Sequence, residues 1–172
     1  SCVSNMLDAG AIFTAKTVTA EFAVSDPGET RNPRNLSHTP GGSSSGSGAS
    51  VAAGFCDIAI GTQTSGSVIR PAGYCGVIGY KPSFGRISRD GVLLFSSSMD
   101  HIGIFAKDLD LLEKTLPVIV DSWSSQEPKL DKKISIGIPE GSYLDLSKPN
   151  VLKQYFSIIQ RLEGPFHVKK VE

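Results

Sequence analysis

The sequence predicts an α/β protein, because short apolar runs typical of strands alternate with segments typical of helices. One such pair is a small-residue helix over 49–54, ended by a glycine, and a buried strand over 57–62. A second pair is a strand over 101–105 and an amphipathic helix over 109–116, for which Asp108 is a suitable N-terminal cap. The alternation favours stacked layers of helix and sheet.

The elements nearer the two ends of the chain follow from the same signals. The apolar run AIFTA at 11–15 is predicted to be a strand that ends at Lys16. Polar residues over 121–131 are expected to form a linker. Three further elements are predicted after it: a strand over 132–139, a helix over 150–162 and a strand near 166–168.

Length and composition limit the classes of function. The chain has 172 residues, enough for one ordinary core and short for two, so a single domain over 1–172 is expected. Its 17 basic and 17 acidic residues cancel, and no Lys/Arg cluster indicates nucleic-acid binding. The longest apolar run, over 109–120, is broken by charged residues and a proline, so no membrane span is predicted. Three widely spaced cysteines without a CxxC pair favour a reduced, cytoplasmic protein with no disulfide framework, metal or cofactor.

A Gly/Ser-rich loop, GGSSSGSG at 41–48, lies in an irregular stretch over 24–48. Its composition fits a flexible linker, and GSSSG within it formally fits the GxSxG nucleophile elbow. The elbow requires an apolar strand immediately before it, which is missing here, and no Gly-Lys-Ser/Thr ending marks a P-loop. The loop runs directly into a tight helix and a buried strand, which disfavours the linker. Its serines are therefore expected to be positioned by close backbone packing.

A second polar segment, GTQTSGSVIRPA at 61–72, follows the predicted strand over 57–62. Open α/β sheets usually carry their chemistry at such carboxyl ends of strands. The N–H groups from Thr64 to Ser67 could converge on an anion beside the Ser67 hydroxyl. Acyl transfer needs this arrangement, a nucleophile next to donors for the developing oxyanion. Taken alone, the segment is equally explained as an ordinary Ser/Gly turn.

Together the two segments resemble the signature of the amidase signature family in order and spacing. The matching strings are GGSS at 41–44, AAG at 52–54, GTQTSGS at 61–67 and PA at 71–72. Flanking strings such as AGA at 9–11 and GVIGYKPSFG at 76–85 agree as well, and the strong match spans about 9–118. The resemblance implies an α/β fold with a mixed central sheet and helices on both faces, of which this chain holds an incomplete, central portion.

Carried over by position, the resemblance implies a role for each residue of these segments. Ser67 would be the acyl-enzyme nucleophile and Ser43 the bridging serine, after a cis peptide bond from Gly42. The oxyanion hole would be formed by the N–H groups of Thr64, Ser65, Gly66 and Ser67, and the substrate-binding residues would be Gly42, Ser44 and Arg70. The implied reaction is hydrolysis of a small-molecule carboxamide without a cofactor. The full-length protein is expected to form a homodimer.

This sequence departs from the family's pattern at several positions. The family's triad ends in a buried lysine within an upstream Gly-x-Pro…Lys-Asp stretch, and the chain has no such stretch. Lys16, the one lysine before Ser43, matches a different motif, so we expect an internal fragment of a longer amidase. Ser65 stands where many members have glycine. Arg70 lies three residues after Ser67 instead of two, where it would bind a substrate carboxylate or pair with an internal acid.

Other functions stay open on the sequence. A catalytically incomplete amidase-like fragment would bind a ligand or partner with the same loop. An amidase subunit of an amidotransferase is less favoured, since that branch usually reads Ser-Asp-Thr where this chain has TQT at 62–64. A Ser-His-Asp triad is disfavoured, because neither His38 nor His101 has an acid at a suggestive spacing.

Overall fold

The computed structural model describes residues 1–24, 26, 28–124 and 134–171, without the side chain of Tyr143. The chain divides into two compact units, Ser1–Ser125 and Gln126–Glu172. Both contain helices together with strands, so the predicted α/β class is confirmed. Of the linker predicted over 121–131, residues 125–131 lie outside the described residues. Both Gly/Ser segments belong to the first unit.

The first unit is built on a three-stranded sheet. Its strands are β1 (Ile58–Gln63), β2 (Ile78–Tyr80) and β3 (His101–Ala106), in the spatial order β1-β3-β2. Both neighbouring pairs are antiparallel, and Gln63 at the end of β1 lies opposite His101 at the start of β3. Strands β1 and β3 agree with the sequence-based bounds to within one residue, whereas the three-residue β2 was not predicted.

Helices cover both faces of this sheet, as the resemblance implied. On one face, α1 (Cys2–Asp8) and α4 (Leu109–Ile119) share a core with Ile102 and Ile104 of β3. On the other face, α2 (Ser45–Ala52) and α3 (Ile69–Cys75) pack around Phe105, which is 0% exposed. Successive side chains of a strand point to opposite faces, so β3 contributes to both cores. The two Gly/Ser segments lie at the ends of α2 and α3.

Helix α4 begins where the sequence predicts and ends later. The Oδ1 atom of Asp108 accepts a hydrogen bond from the N–H of Leu111 at 2.8 Å, which confirms the predicted cap. The helix continues through Pro117 to Ile119, three residues past the predicted end at 116. The predicted end was therefore too early, and Ile119 of the last turn belongs to the core on this face of the sheet.

The strand predicted over 11–15 is wrong. Among the described residues no strand pairs with this segment, and Ile12 and Phe13 are 87% and 44% exposed. An apolar run becomes a strand only where a neighbour satisfies its backbone hydrogen-bonding groups. Here residues 11–20 form a largely exposed connection that follows α1 and is neither helix nor strand.

The predicted helix over 49–54 starts four residues too late. Helix α2 begins at Ser45, within the Gly/Ser loop, and ends at Ala52. Gly54 follows with a φ of +74°, a left-handed conformation that glycine adopts without a steric penalty. The glycine stop is therefore confirmed, and half of the string GGSSSGSG is helical.

The second unit pairs two parallel strands, β4 (Ser135–Pro139) and β5 (His167–Val171). Between them lie a short helix, α5 (Ser142–Asp145), and the longer α6 (Pro149–Leu162). A crossover of this kind is what parallel pairing requires. The elements predicted over 132–139, 150–162 and near 166–168 are thus present, with residues 132 and 133 outside the described part. No helix of the described residues is long and apolar enough to cross a membrane.

Candidate active site

The Gly/Ser loop is packed and buried. The peptide bond between Gly42 and Ser43 is cis, and no other described peptide bond is. Ser43 and the serines that follow it in the loop expose at most 5% of their surface. The N–H of Ala20 donates to the carbonyl oxygen of Ser43 at 2.9 Å, and the N–H of Gly46 donates to that of Val18 at 2.8 Å. The loop is therefore fixed from the side of the 11–20 connection.

Ser44 connects the loop to the sheet. Its Oγ donates to the carbonyl oxygen of Thr62 at 3.1 Å and accepts from the N–H of the same residue at 3.2 Å. Its backbone N–H donates to the carbonyl oxygen of Ser67 at 3.2 Å. The Ser44 hydroxyl therefore donates its proton to a backbone carbonyl oxygen of β1. The contact of Ser44 with the substrate stays a prediction. Through Ser44 the two segments, far apart in sequence, are hydrogen-bonded to each other.

The hydroxyls of Ser43 and Ser67 differ from that of Ser44 in having no described hydrogen-bond partner. Every buried side-chain nitrogen and oxygen of the described residues has a partner. Since neither of these two hydroxyls has one, their oxygens must reach the surface, although Ser43 is only 5% and Ser67 only 8% exposed. Two hydroxyls are thus presented without a described hydrogen-bond partner on a backbone that is itself hydrogen-bonded.

The turn at 64–67 presents unpaired backbone donors. The N–H groups of Ser65, Gly66 and Ser67 donate to no acceptor among the described residues. Ser65 is exposed and Gly66 is half-buried, so donors of this turn are open to solvent and to an acceptor on a ligand. They belong to the residues predicted to form the oxyanion hole, next to the Ser67 hydroxyl.

The side chain of Gln63 is hydrogen-bonded to this turn and to the start of α3. The sequence analysis did not identify it. Its side chain is 6% exposed. The Oε1 atom accepts from the N–H of Val68 at 2.8 Å and of Ile69 at 3.0 Å, while Nε2 donates to the carbonyl oxygen of Ser65 at 3.1 Å. The only sequence signal was its place at the end of β1, immediately before the turn.

Asp100, the residue immediately before β3, also binds this turn and was not identified in the sequence analysis. Its Oδ1 accepts from Thr64 Oγ1 at 2.6 Å, and its Oδ2 accepts from the N–H groups of Phe95 at 2.6 Å and Ser96 at 2.9 Å. Burial opposes the charge, but the hydrogen bonds from Thr64, Ser96 and Phe95 and the nearby Arg89 guanidinium lower the pKa of Asp100. Asp100 is 36 positions from Thr64, so no local pattern reveals the contact.

Arg70 lies on the surface beside the turn. Its Nη2 and Nε atoms would lie 3.1 and 3.5 Å from a Cβ at Gly66, so the guanidinium packs against the turn backbone. The two ion pairs of the described residues join Lys107 to Asp57 and Lys170 to Glu140, and neither involves Arg70. The predicted pairing of Arg70 with an internal acid is therefore not seen in the described part of the chain.

The fold and the paired segments are those of the class of protein that the resemblance implied. A sequence model of the Amidase family matches residues 1–170 of the chain. The chain belongs to the Amidase family. The match extends past the interval of about 9–118 in which the motifs were strong.

Curated relatives support the same placement. A glutamyl-tRNA(Gln) amidotransferase subunit from Syntrophus aciditrophicus is 38% identical over 182 residues, covering 94% of this chain and 38% of the relative. The corresponding protein from Prochlorococcus marinus is 44% identical over 150 residues, covering 83% of this chain and 30% of the relative. The chain therefore spans well under half the length of these relatives.

Solved structures agree in fold. A glutamyl-tRNA(Gln) amidotransferase subunit from Thermotoga maritima is similar with a TM-score of 0.86 and 32% identity, covering 99% of this chain and 42% of that one. A peptide amidase from Stenotrophomonas maltophilia is similar with a TM-score of 0.79 and 31% identity, covering 99% of this chain and 41% of that one. Nearly the whole chain thus superposes on part of an amidase fold.

Proposed function

We propose that the protein is an amidase that hydrolyses the C–N bond of a carboxamide through an acyl-enzyme on Ser67. The observation that carries the proposal is the row of unpaired N–H groups at 65–67 beside a hydroxyl with no described partner. Membership of the Amidase family supports it. The substrate is a small-molecule amide, which would lie against Gly42, Ser44 and Arg70, and the setting is the cytoplasm.

The reaction begins when Ser67 Oγ attacks the amide carbonyl carbon. Its proton passes to Ser43 Oγ as the proton of Ser43 passes to a base. The carbonyl oxygen becomes negatively charged and accepts hydrogen bonds from the turn, which are worth about 3–4 kcal/mol per donor in such sites. The C–N bond then breaks, the nitrogen takes a proton and leaves, and water hydrolyses the Ser67 ester to a carboxylic acid.

The proposal also needs a base that accepts the proton of Ser43. Lys81 donates to the carbonyl oxygen of Pro82 at 2.6 Å, and Lys16 is exposed without a hydrogen bond to a described residue. Neither is favoured as the proton acceptor for Ser43. In the resembled family the base is the lysine of the Gly-x-Pro…Lys-Asp stretch, so we assign this step to a lysine outside the 172 residues.

A covalent trap tests the assignment. A fluorophosphonate probe is expected to label Ser67 in the protein at the full length that its gene encodes, and peptide mass spectrometry locates the label. Ser67→Ala should abolish labelling and release of ammonia from carboxamides, and Ser43→Ala should slow both strongly. Ser98→Ala, on an exposed loop serine, is the matched control and should label normally. Labelling that survives Ser67→Ala would sink the proposal.

An amidase subunit of an amidotransferase is the second candidate. Identities of 38% and 44% to glutamyl-tRNA(Gln) amidotransferase subunits favour it. Gln63 and the position of Arg70 distinguish this chain from the pattern of that branch. Ammonia release from simple carboxamides by the isolated protein supports the amidase. Ammonia release that requires glutamyl-tRNA(Gln) and further subunits supports the amidotransferase. A protein that binds amides without turnover is a catalytically incomplete relative.

A further inference from the structure

The hydrogen bonds at the start of α3 depend on Gln63. The first N–H groups of a helix have no partner within it, and Val68, which precedes α3, provides no side-chain cap. Gln63 Oε1 accepts from both Val68 and Ile69, and the N–H of Arg70 donates to Gly66 at 2.9 Å. Because the next residue is a proline, every early donor is then accounted for. Gln63 therefore acts as the N-terminal cap of α3 from outside the helix.

The second contact of Gln63 sets the direction of a peptide group. Its Nε2 draws the carbonyl oxygen of Ser65 inward at 3.1 Å. The peptide bond between Ser65 and Gly66 is trans, so its C=O and N–H point in opposite directions. Holding the Ser65 carbonyl against the buried side chain therefore turns the N–H of Gly66 outward. This N–H has no acceptor among the described residues.

We infer that Gln63 is a positioning residue for the oxyanion hole, acting through the orientation of the Ser65–Gly66 peptide group. The inference rests on the proposed acyl transfer at Ser67 and adds the residue that orients its donor. An amide is required, because one oxygen must accept from the helix while one nitrogen must donate to the turn. A carboxylate in its place keeps the first contact and loses the second. The carbonyl oxygen that Nε2 holds belongs to Ser65, a position at which many members of the family have glycine.

The isosteric change Gln63→Glu separates the two contacts. The ionised carboxylate still accepts from Val68 and Ile69, but it repels the Ser65 carbonyl oxygen and releases the Gly66 N–H from its orientation. Gln63→Met removes both contacts without changing length greatly. Gln154→Glu, on the exposed surface of α6, is the matched control.

The experiment uses the protein at the full length that its gene encodes and the fluorophosphonate probe. For Gln63→Glu we expect the maximal rate of Ser67 labelling to fall at least tenfold with little change in the half-saturating probe concentration, because donors act on the transition state. Labelling of Gln63→Glu at the parent's rate would overturn the inference.

Hydrogen–deuterium exchange provides a readout that does not depend on labelling. The amides of Val68 and Ile69 should exchange faster in Gln63→Met, remain protected in Gln63→Glu, and be unchanged in Gln154→Glu. If the parent is not labelled at Ser67, the proposed amide hydrolysis fails by itself. Faster exchange in Gln63→Met then still supports the positioning of the turn, and unchanged exchange overturns it.

Discussion

Replacing Gly61 with alanine tests whether the contact between the loop and the sheet holds the candidate site together. A Cβ at this position would lie 2.6 Å from Ser44 Oγ and 2.8 Å from Cε2 of Phe105. Both neighbours are buried, Ser44 at 2% and Phe105 at 0% exposure, so neither side chain can swing into solvent. Overpacking of this kind costs about 1–3 kcal/mol. Displacing the Ser44–Thr62 pair costs about 1 kcal/mol more.

One opposing effect reduces this cost. Alanine restricts the unfolded chain relative to glycine, which contributes about 0.5–1 kcal/mol of stability. The expected net effect of Gly61→Ala is therefore a loss of about 1–3 kcal/mol in the free energy of unfolding. Labelling of Ser67 should slow as well, because Ser44 carries the hydrogen bond to the Ser67 carbonyl oxygen.

Gly73→Ala is the matched control for this test. Gly73 lies within α3, and a Cβ there meets nothing within 4 Å. The same chemical change should therefore stabilise the protein by about 0.5–1 kcal/mol through helix propensity. Urea unfolding followed by circular dichroism measures both variants against the parent. Equal stability of Gly61→Ala and Gly73→Ala would refute the packing of Ser44 against β1.

Substitutions at two further residues, Asp100 and Asp108, test carboxylates that accept hydrogen bonds from backbone N–H groups. Asp100→Ala leaves three donors without an acceptor and should cost about 2–4 kcal/mol, whereas Asp100→Asn can still bond to all three and should cost about 1 kcal/mol. Because the folded pKa of Asp100 is lowered, its contribution is present above the ordinary carboxyl pKa of about 3.9 and is lost as the pH falls through the folded value. Urea unfolding of the parent and Asp100→Ala across this range should show the gap narrowing; a constant gap would contradict it. Asp108→Ala should cost about 1 kcal/mol through the lost cap of α4, and Asp108→Asn only a few tenths, by the same measurement.

Local signals in the sequence predicted the elements whose shape depends on local physics. The cap at Asp108, the stop at Gly54 and the strands β1 and β3 were found because each has a characteristic residue or an apolar run. The family resemblance added the roles proposed for Ser43, for Ser67 and for the turn at 64–67. The cis peptide bond before Ser43 lies at the position implied.

Helix α3 was not predicted, because its residues are typical of turns and loops. It contains Arg70, Pro71 and Gly73. A proline in the first turn of a helix is harmless, since its missing N–H would have had no partner there. What makes the segment helical is the cap from Gln63, a side chain outside the helix. The sequence of α3 alone does not show that the N–H groups at its start have a hydrogen-bond acceptor.

The opposite error occurred at 11–15, where local signals favoured a strand that does not form. Strand formation depends on a partner, and the partner is a property of the whole sheet. The same limitation explains why the contact of Asp100 with Thr64 was missed, since these two residues are 36 positions apart. Both cases concern pairing between distant parts of the chain.

The register between β1 and β3 explains how two distant side chains come to support one turn. Gln63 pairs with His101, which brings Thr64, the residue after β1, to Asp100, the residue before β3, and these two are hydrogen-bonded. The side chain of Gln63 donates to the Ser65 carbonyl oxygen within the turn. The carboxylate of Asp100 accepts from the hydroxyl of Thr64, the first residue of the turn. A shift of one residue in this register would separate Thr64 from Asp100, whereas the contacts of Gln63 lie within residues 63–69. The shape of the turn therefore depends on the pairing of the sheet as well as on Gln63, because its own Ser and Gly residues would allow many other shapes.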